Sequence, residues 1–506
     1  MKRFLYMILF LPCSIVAQNM YNVAPLFNND LNGTARFIGM GGSMSALGGD
    51  ASTMGTNPAG IALYRTNDLS FTAGVNSIGV EAQYEGWKRK SDSTYGTIDN
   101  VSFVLANEYD DEYLKFLNIG VGYRRNCNIE GEFAMAGPAG AFSQQYIIDK
   151  MYRNNPFNIE KLDFGMYENF AYSWLPLLMA EGYYEDYIPG DNFITDGKGL
   201  LLWAPTDIEY HSEERGGVDE VDFNISANIN DYLYLGMTIG VANVDYSRYS
   251  CYYENDDHGE IYSIANDYSL TGKGFNVKLG AILRPFKYSP FKIGLAVHTP
   301  TWYDLEEIYS ASITGIDGYI YDTRDEERFY DDVRVKFKLN TPWRFNTSVS
   351  YTFGSILALN AEYEYADYSS SEFKRRNNIS KLQNNEIERN LEAQHTFRIG
   401  AEYNLGNYFI RTGYNYQTAP FKEEAYKNIA DASVTDTSTE YMNKFEKNVV
   451  TLGAGYRYKG FYFDVAYMLQ TQKADFYPFY DEDYINPVAE VKNTDHSVIA
   501  TIGMRF

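Results

Sequence analysis

The sequence predicts an all-β protein, a 14-stranded antiparallel transmembrane β-barrel with an N-terminal plug in its lumen, and three observations carry that prediction. From residue 67 onward, apolar and polar residues alternate with a period of two over most of the chain. The runs number fourteen, an even count, and many match the roughly 9–11 residues with which a tilted strand crosses a bilayer. The links between them alternate between tight turns and long polar segments, as in a barrel with short periplasmic turns and long outer loops.

Composition agrees. Hydrophobic residues make up 45% of the 506 and aromatics 16%, with 47 Tyr and 31 Phe against 5 Trp, yet mean hydropathy is negative at -0.38. Such a chain is aromatic without being oily. The 43 basic and 67 acidic residues give a net charge of -24, which repels phosphate backbones and argues against a nucleic-acid partner. Three cysteines exclude both a disulfide-stapled scaffold and a Cys-rich zinc site.

In chain order, residues 1–17 read as a signal peptide: Lys2 and Arg3, an apolar run from Phe4 to Val16, then Ala17 ahead of Gln18 as the cut site. A lipoprotein reading of Leu11-Pro12-Cys13-Ser14 competes, weakened by proline beside the cysteine. Beyond residue 17 no stretch reaches the 18 or so apolar residues of a spanning helix. The expected destination is the Gram-negative outer membrane.

Residues 18–66 carry eight glycines between Gly33 and Gly60 but no phosphate-binding pattern, neither G-x-G-x-x-G nor G-x-x-x-x-G-K-[ST]. A compact Gly-rich stretch ahead of a barrel suits a domain folded into the lumen, where close backbone packing favours residues without a side chain. A fourteen-stranded lumen is too wide for wall side chains to fill, so something has to close it. Gly39 to Gly60 are expected inside, with Arg36 or Asp50 paired to lumenal charges.

The barrel is expected over 67–506, with strands at 67–86, 97–109, 115–130, 218–230, 232–249, 272–286, 290–306, 340–353, 356–369, 394–404, 408–418, 446–458, 461–472 and 494–506. In the eighth, Phe345, Thr347, Val349, Tyr351 and Phe353 face one way and Asn346, Ser348, Ser350 and Thr352 the other. In the last, Ile499 is the apolar exception on the polar face. Tight turns are read at Asn230-Asp231, Lys287–Ser289, Gly354-Ser355, Leu405–Asn407 and Lys459-Gly460. The alternative, a secreted soluble all-β protein, accounts for the alternation but not for the strand lengths or the loop pattern.

The longest outer loop, 131–217, is unexpectedly apolar, with Phe164, Phe170, Trp174, Leu175, Leu177, Leu178, Met179, Leu201, Leu202 and Trp203. Such groups either form a core over the barrel mouth or are offered to an apolar ligand, and both can hold together.

No enzyme is expected. His211, His258, His298, His395 and His496 lack metal-ligand spacing, and no catalytic motif occurs, so no metal and no cofactor is assigned. The acidic runs Asp322–Asp332 and Asp481–Asp483 read as solvated loops before they read as cation sites. Arg124 or Arg125 should face the lumen, in a plain salt bridge or against a ligand carboxylate. Cys127 and Cys251 fall near the outer ends of non-adjacent strands and are expected as free thiols.

Gly33-x-Ala35-Arg36-x-x-Gly39-Met40-Gly41-Gly42, Asp50 and Asn57-Pro58-Ala59-Gly60 resemble the N-terminal plug of FadL/TodX-type outer-membrane transporters. Gly274-Phe275-Asn276 to Pro285, Phe291 to Thr299-Pro300, and Thr341-Pro342 resemble mid-barrel segments of the same family. The resemblance spans nearly the whole chain. It implies passive uptake of hydrophobic small molecules such as long-chain fatty acids, with outer capture at the apolar residues of loop 131–217. It also implies a gate at Arg36, Gly39, Gly41, Gly42, Asp50, Asn57, Pro58, Ala59 and Gly60, with release through a shift there or through a sideways gap in the wall. Expected partners are the ligand, outer-membrane lipids, and the barrel assembly machinery through the last strand ending in Phe506. The rival readings are a receptor for haem or another amphipathic ligand, and a non-transporting structural or adhesive barrel, which a filled lumen would favour.

Overall fold

The computed structural model describes residues 19–27, 29–139, 143–157, 172–184, 205–257, 259–315, 319–324, 333–375, 378–428, 434–483 and 486–506. The expected signal peptide 1–17, Phe164, Phe170, Leu201, Leu202, Trp203 and His258 lie outside them.

Fourteen antiparallel staves close into a barrel. They are β1 (Asp68–Tyr84), β2 (Trp87–Glu108), β3 (Leu114–Asn128, extended by Gly131–Pro138), β4 (Asp207–Ile229), β5 (Leu233–Asp256) and β6 (Gly259–Leu283). Next come β7 (Lys292–His298, resuming at Trp302–Thr314), β8 (Val333–Asn340, resuming at Arg344–Phe353) and β9 (Leu357–Asp367). The circuit ends with β10 (Ala393–Leu405), β11 (Tyr408–Gln417), β12 (Tyr441–Tyr458), β13 (Phe461–Tyr477) and β14 (Ala489–Arg505). Each pairs with the next, and β14 returns to β1 from Asp68↔Arg505 to Gln83↔Glu490, which closes the ring.

Alternation fixes which face meets lipid. On β8, Phe345, Val349 and Phe353 are exposed outward while Asn346, Ser348 and Ser350 are buried inward. On β14, Val498 and Ile502 point out and Ser497 and Thr501 in. Ile499 also points in, where it packs on Ala35 and Ile38 of the N-terminal segment, and this contact accounts for the exception in the pattern. An apolar outer band around a closed, polar-lined wall is the construction of an outer-membrane barrel.

Three expectations need correction. The stretch 87–96, read as a link, is strand: β1 and β2 form one hairpin joined at Glu85-Gly86, where φ is positive at both residues. Its upper part is polar on both faces because Trp87–Lys90 stand in solvent, and this erases the two-residue signal. Second, β4, β5 and β6 run well past the ends read from sequence, and the inward residues of these extensions, such as Ile208, Tyr210, Tyr252 and Tyr262, are buried in an upper core.

The third correction concerns β7, read as continuous over 290–306, and β8, read over 340–353 without its Val333–Asn340 part. Each is interrupted at a proline, Pro300 and Pro342, and the two breaks lie side by side. Proline has no N–H for the ladder, and a local substitute bridges the gap: Thr301 N donates to Thr341 Oγ1 at 2.9 Å and Thr341 N to Thr301 O at 3.2 Å.

Candidate functional site

The N-terminal segment folds by capping. Asn19 caps helix α1 (Met20–Val23), accepting from Tyr21 N at 2.7 Å, and Thr34 caps α2 (Ala35–Gly39), accepting from Phe37 N at 3.1 Å. Asp50 and Asn57 start two 3₁₀ turns, Ala51–Gly55 and Pro58–Leu63, the second with proline at its first position. Asp50 also accepts from Thr34 Oγ1 at 2.9 Å, tying the second cap to the third.

The segment touches the inward face of the wall on nearly every side. Gly39 lies on Gly453 of β12, Gly41 (φ +65°) on Gly413 and Tyr414 of β11, Pro58 and Ala59 on Gly236 of β5, and Asn57 on Gly280 of β6. At Gly413 a Cβ would overlap the backbone of Met40 and Gly41, so wall and segment meet backbone to backbone. Gly42 sits against Leu31 and Arg398, and Gly60 against Thr53.

Ion clusters ring this contact. Arg411 of β11 donates to Glu402 of β10 at 2.7 Å and to Asp464 of β13 at 2.5 Å, and Arg36 from α2 joins the same Glu402. Arg124 of β3 pairs with Glu220 at 2.9 Å, and Lys278 of β6 pairs with both Glu220 and Asp222 of β4. Arg398 reaches Glu362 at 2.7 Å. All are held inside the wall, where partnered charge avoids the penalty of a bare buried ion.

Above the segment, α3 (Gln144–Asn154) and α4 (Trp174–Tyr184) pack inside the upper wall. Trp174, Leu175, Leu177, Leu178 and Met179 are all buried, against Ile147 and Ile148 of α3, Tyr210 of β4 and Phe476 of β13. These five predicted site residues therefore form a ceiling core and do not line the space beneath it. Glu254, near the outer tip of β5, anchors α3: its carboxylate accepts from Gln144 N at 2.7 Å and Gln145 Nε2 at 2.6 Å. Burial is the main influence on this carboxyl and, outweighing those hydrogen bonds, pushes its pKa up to about 7.

Between ceiling and segment lies a cavity of about 280 Å³. Tyr21 and Phe27 line it from below, Tyr95 of β2 and Phe133 of upper β3 from one side, and Phe421 and Tyr441 from the other. The β2–β3 ladder runs from Glu108↔Phe116 up to Asn100↔Arg124 and stops there among the described residues. Above that point the ladders of the described residues join β2 to β1 and upper β3 to β4, and both flanks of this seam, Tyr95 and Asp99 on one side and Cys127 to Phe133 on the other, line the cavity.

The fold recurs among solved structures. A FadL homologue of Pseudomonas aeruginosa superposes with TM-score 0.54 at 13% identity, over 94% of this chain and 98% of its own. The toluene transporter TodX of P. putida gives 0.52 at 11%, over 94% and 99%. The chain has the FadL/TodX-type fold. A TodX variant lacking S2 gives 0.54 at 12%, over 94% and 100%. No protein-family profile and no curated protein matches the sequence.

Of the remaining candidates in the sequence, Arg124 and Arg125 are both in ion pairs, the second with Asp219 at 3.2 Å. Cys127 and Cys251 are free and buried. His298 bonds the Thr56 carbonyl at 2.7 Å, and the described residues contain no cluster of metal-ligating type. Lys150 pairs with Asp481 and Asp483 of that acidic run, while Arg324 bonds Asp322. Sequence reasoning missed the cavity's polar lining, notably Asp99, Glu440 and Arg248. Asp99 and Glu440 are buried charges, but only the fold sets the height at which each enters the lumen.

Proposed function

We propose that the protein is a passive outer-membrane channel for hydrophobic small molecules, with the cavity as the station between outer entry and release. The observation that carries this is the position of the cavity: roofed by an apolar core, floored by α1, and bordered by both flanks of the β2–β3 seam. A molecule leaving through this seam enters the bilayer without crossing the packed segment below. In this reading residues 18–66 are the plug, and Arg36, Gly39, Gly41, Gly42, Asp50, Asn57, Pro58, Ala59 and Gly60 hold it in place. Capture at the outer face is assigned to loop 131–217, whose Trp174, Leu175, Leu177, Leu178 and Met179 form the ceiling core and whose Phe164, Phe170 and Trp203 remain candidates from the sequence alone. The similarity to a toluene transporter and a FadL homologue supports the class, and no enzymatic step belongs to it. Outer-membrane lipids and the assembly machinery, met through the strand ending in Phe506, are the further partners.

A second reading, a non-transporting surface barrel, draws on the lower lumen, which the N-terminal segment fills by backbone contact. The test is uptake of radiolabelled toluene by cells expressing the protein in their outer membrane, against cells carrying the empty vector. Faster uptake supports the channel. Equal rates at verified surface expression leave the second reading standing.

A further inference from the structure

Resting on the reading of the lumenal cavity as the ligand site, we infer that its occupant is a hydrophobic molecule whose polar end donates hydrogen bonds, an amine or a hydroxyl, and that the site disfavours carboxylates. The argument is one of charge. Asp99 of β2 lines the cavity at 3% exposure; its Oδ1 accepts from Thr97 Oγ1 at 2.8 Å and Asn32 Nδ2 at 3.2 Å, while Oδ2 is buried with no hydrogen-bond partner. Arg125, whose field reaches Asp99, is committed to Asp219. Asp495 of β14 repeats the pattern, with Oδ2 accepting from Gln470 Nε2 at 2.8 Å and Oδ1 unpartnered.

Five more carboxylates line the same space. Glu440 accepts from Tyr210 and Ser250, Glu214 accepts from Tyr246 at 2.8 Å, Asp30 is matched by Lys447 at 3.0 Å, and Glu130 and Glu132 flank the start of upper β3. Against these the lining holds two cations, Arg248 and Lys444. Arg248 donates to Asn22 at 3.3 Å and lies in the field of both Glu214 and Glu440. Giving each cation, Lys447 included, one carboxylate leaves four without a counter-ion.

A carboxylate entering this space meets like charge in a partly desolvated site. An ammonium or hydroxyl meets a lining with an excess of carboxylates, among the ring faces of Tyr21, Phe27, Tyr95, Phe133, Phe421 and Phe476, which favour cations.

The test titrates full-length protein in nanodiscs with 3-phenylpropylamine, 3-phenylpropan-1-ol and 3-phenylpropanoate, which differ only at the head group, with saturation-transfer NMR as readout. The amine and the alcohol should bind about tenfold or more tightly than the carboxylate. In Asp99→Asn the ratio of amine to carboxylate affinity should shrink; should that variant fail to assemble, the wild-type series decides alone. Carboxylate binding equal to or tighter than amine binding overturns the inference, and a ratio unmoved by Asp99→Asn removes Asp99 from it. If none of the three binds to protein that still migrates as a folded barrel, the cavity is not a ligand site and the proposed function falls first.

Discussion

Arg36 and Glu402 join the N-terminal segment to the barrel wall by a two-pronged ion pair, Nε to Oε2 at 2.8 Å and Nη2 to Oε1 at 2.9 Å. The third donor of Arg36, Nη1, binds the Gly49 carbonyl at 2.8 Å, so one guanidinium holds wall and segment together. Both side chains are largely buried, and removing one partner of such a pair typically costs about 3–5 kcal/mol. In Arg36→Ala the wall keeps its own Arg411–Glu402 pair, so the barrel should assemble with normal heat-modifiable migration. The segment should lose its seating, and planar-bilayer conductance should rise. Conductance equal to that of the intact protein would mean that the glycine contacts suffice to hold it.

Gly413→Val attacks those contacts directly. Any Cβ at this position overlaps the backbone of Met40 and Gly41, and forced overpacking commonly costs about 1–3 kcal/mol. Protease added from the periplasmic side should then cut within residues 19–64. Gly131→Ala, where a Cβ would meet nothing within 4 Å, is the control and should leave the segment protected.

The anchoring of α3 should depend on pH through Glu254. Its folded pKa, about 7, lies above that of an ordinary glutamate, so the folded state holds its proton more tightly than the unfolded state does. The stabilising contribution is therefore complete below the usual carboxyl range and is lost as pH rises through about 7. Hydrogen exchange over Gln144–Asn154, corrected for intrinsic rates, should be slower at about pH 5.5 than at about pH 8. In Glu254→Gln the difference should vanish. A wild-type profile that is flat, or slopes the other way, refutes the assignment.

Trp174→Asp and Leu178→Asp each place a charge in the ceiling core, at sites 4% and 0% exposed. An unpaired buried charge costs several kcal/mol, enough to undock a two-helix cap while the wall remains assembled. External protease should cleave the cap in intact cells, and uptake of an apolar ligand should fall. Unchanged uptake at normal surface expression would show that these residues are ceiling alone.

The wall was legible where both its solvents are distinct. Phe345 to Phe353 face lipid and Asn346 to Ser350 face the lumen, so the two-residue period survives in the sequence. It fails where both faces are wet, as at Lys88, Arg89 and Lys90, and there the start of β2 was misjudged. Arg36 was foreseen as a lumenal ion-pair partner, whereas Asp50 turned out to serve its own segment, accepting from Thr34 and from Ser52 N at 3.0 Å. The cavity was not legible. Asp99, Glu440 and Asp495 come from three distant stretches, and only the stagger of the staves brings them to one level.

The last ladder to close has a consequence for the order in which the molecule is made. Arg505 Nε reaches Asp68 Oδ2 at 3.1 Å across 437 residues of sequence, so the ring cannot shut until its final strand is available. By then the N-terminal segment has to be in position. Its contacts run from β3 round to β14, and Ala35 N donates to Thr501 of β14 itself at 2.8 Å. A segment gripped on so many sides is not easily threaded into a finished cylinder. The expected order is that the wall is laid down around it, with the N-terminal segment as the mandrel on which the last strand is wound.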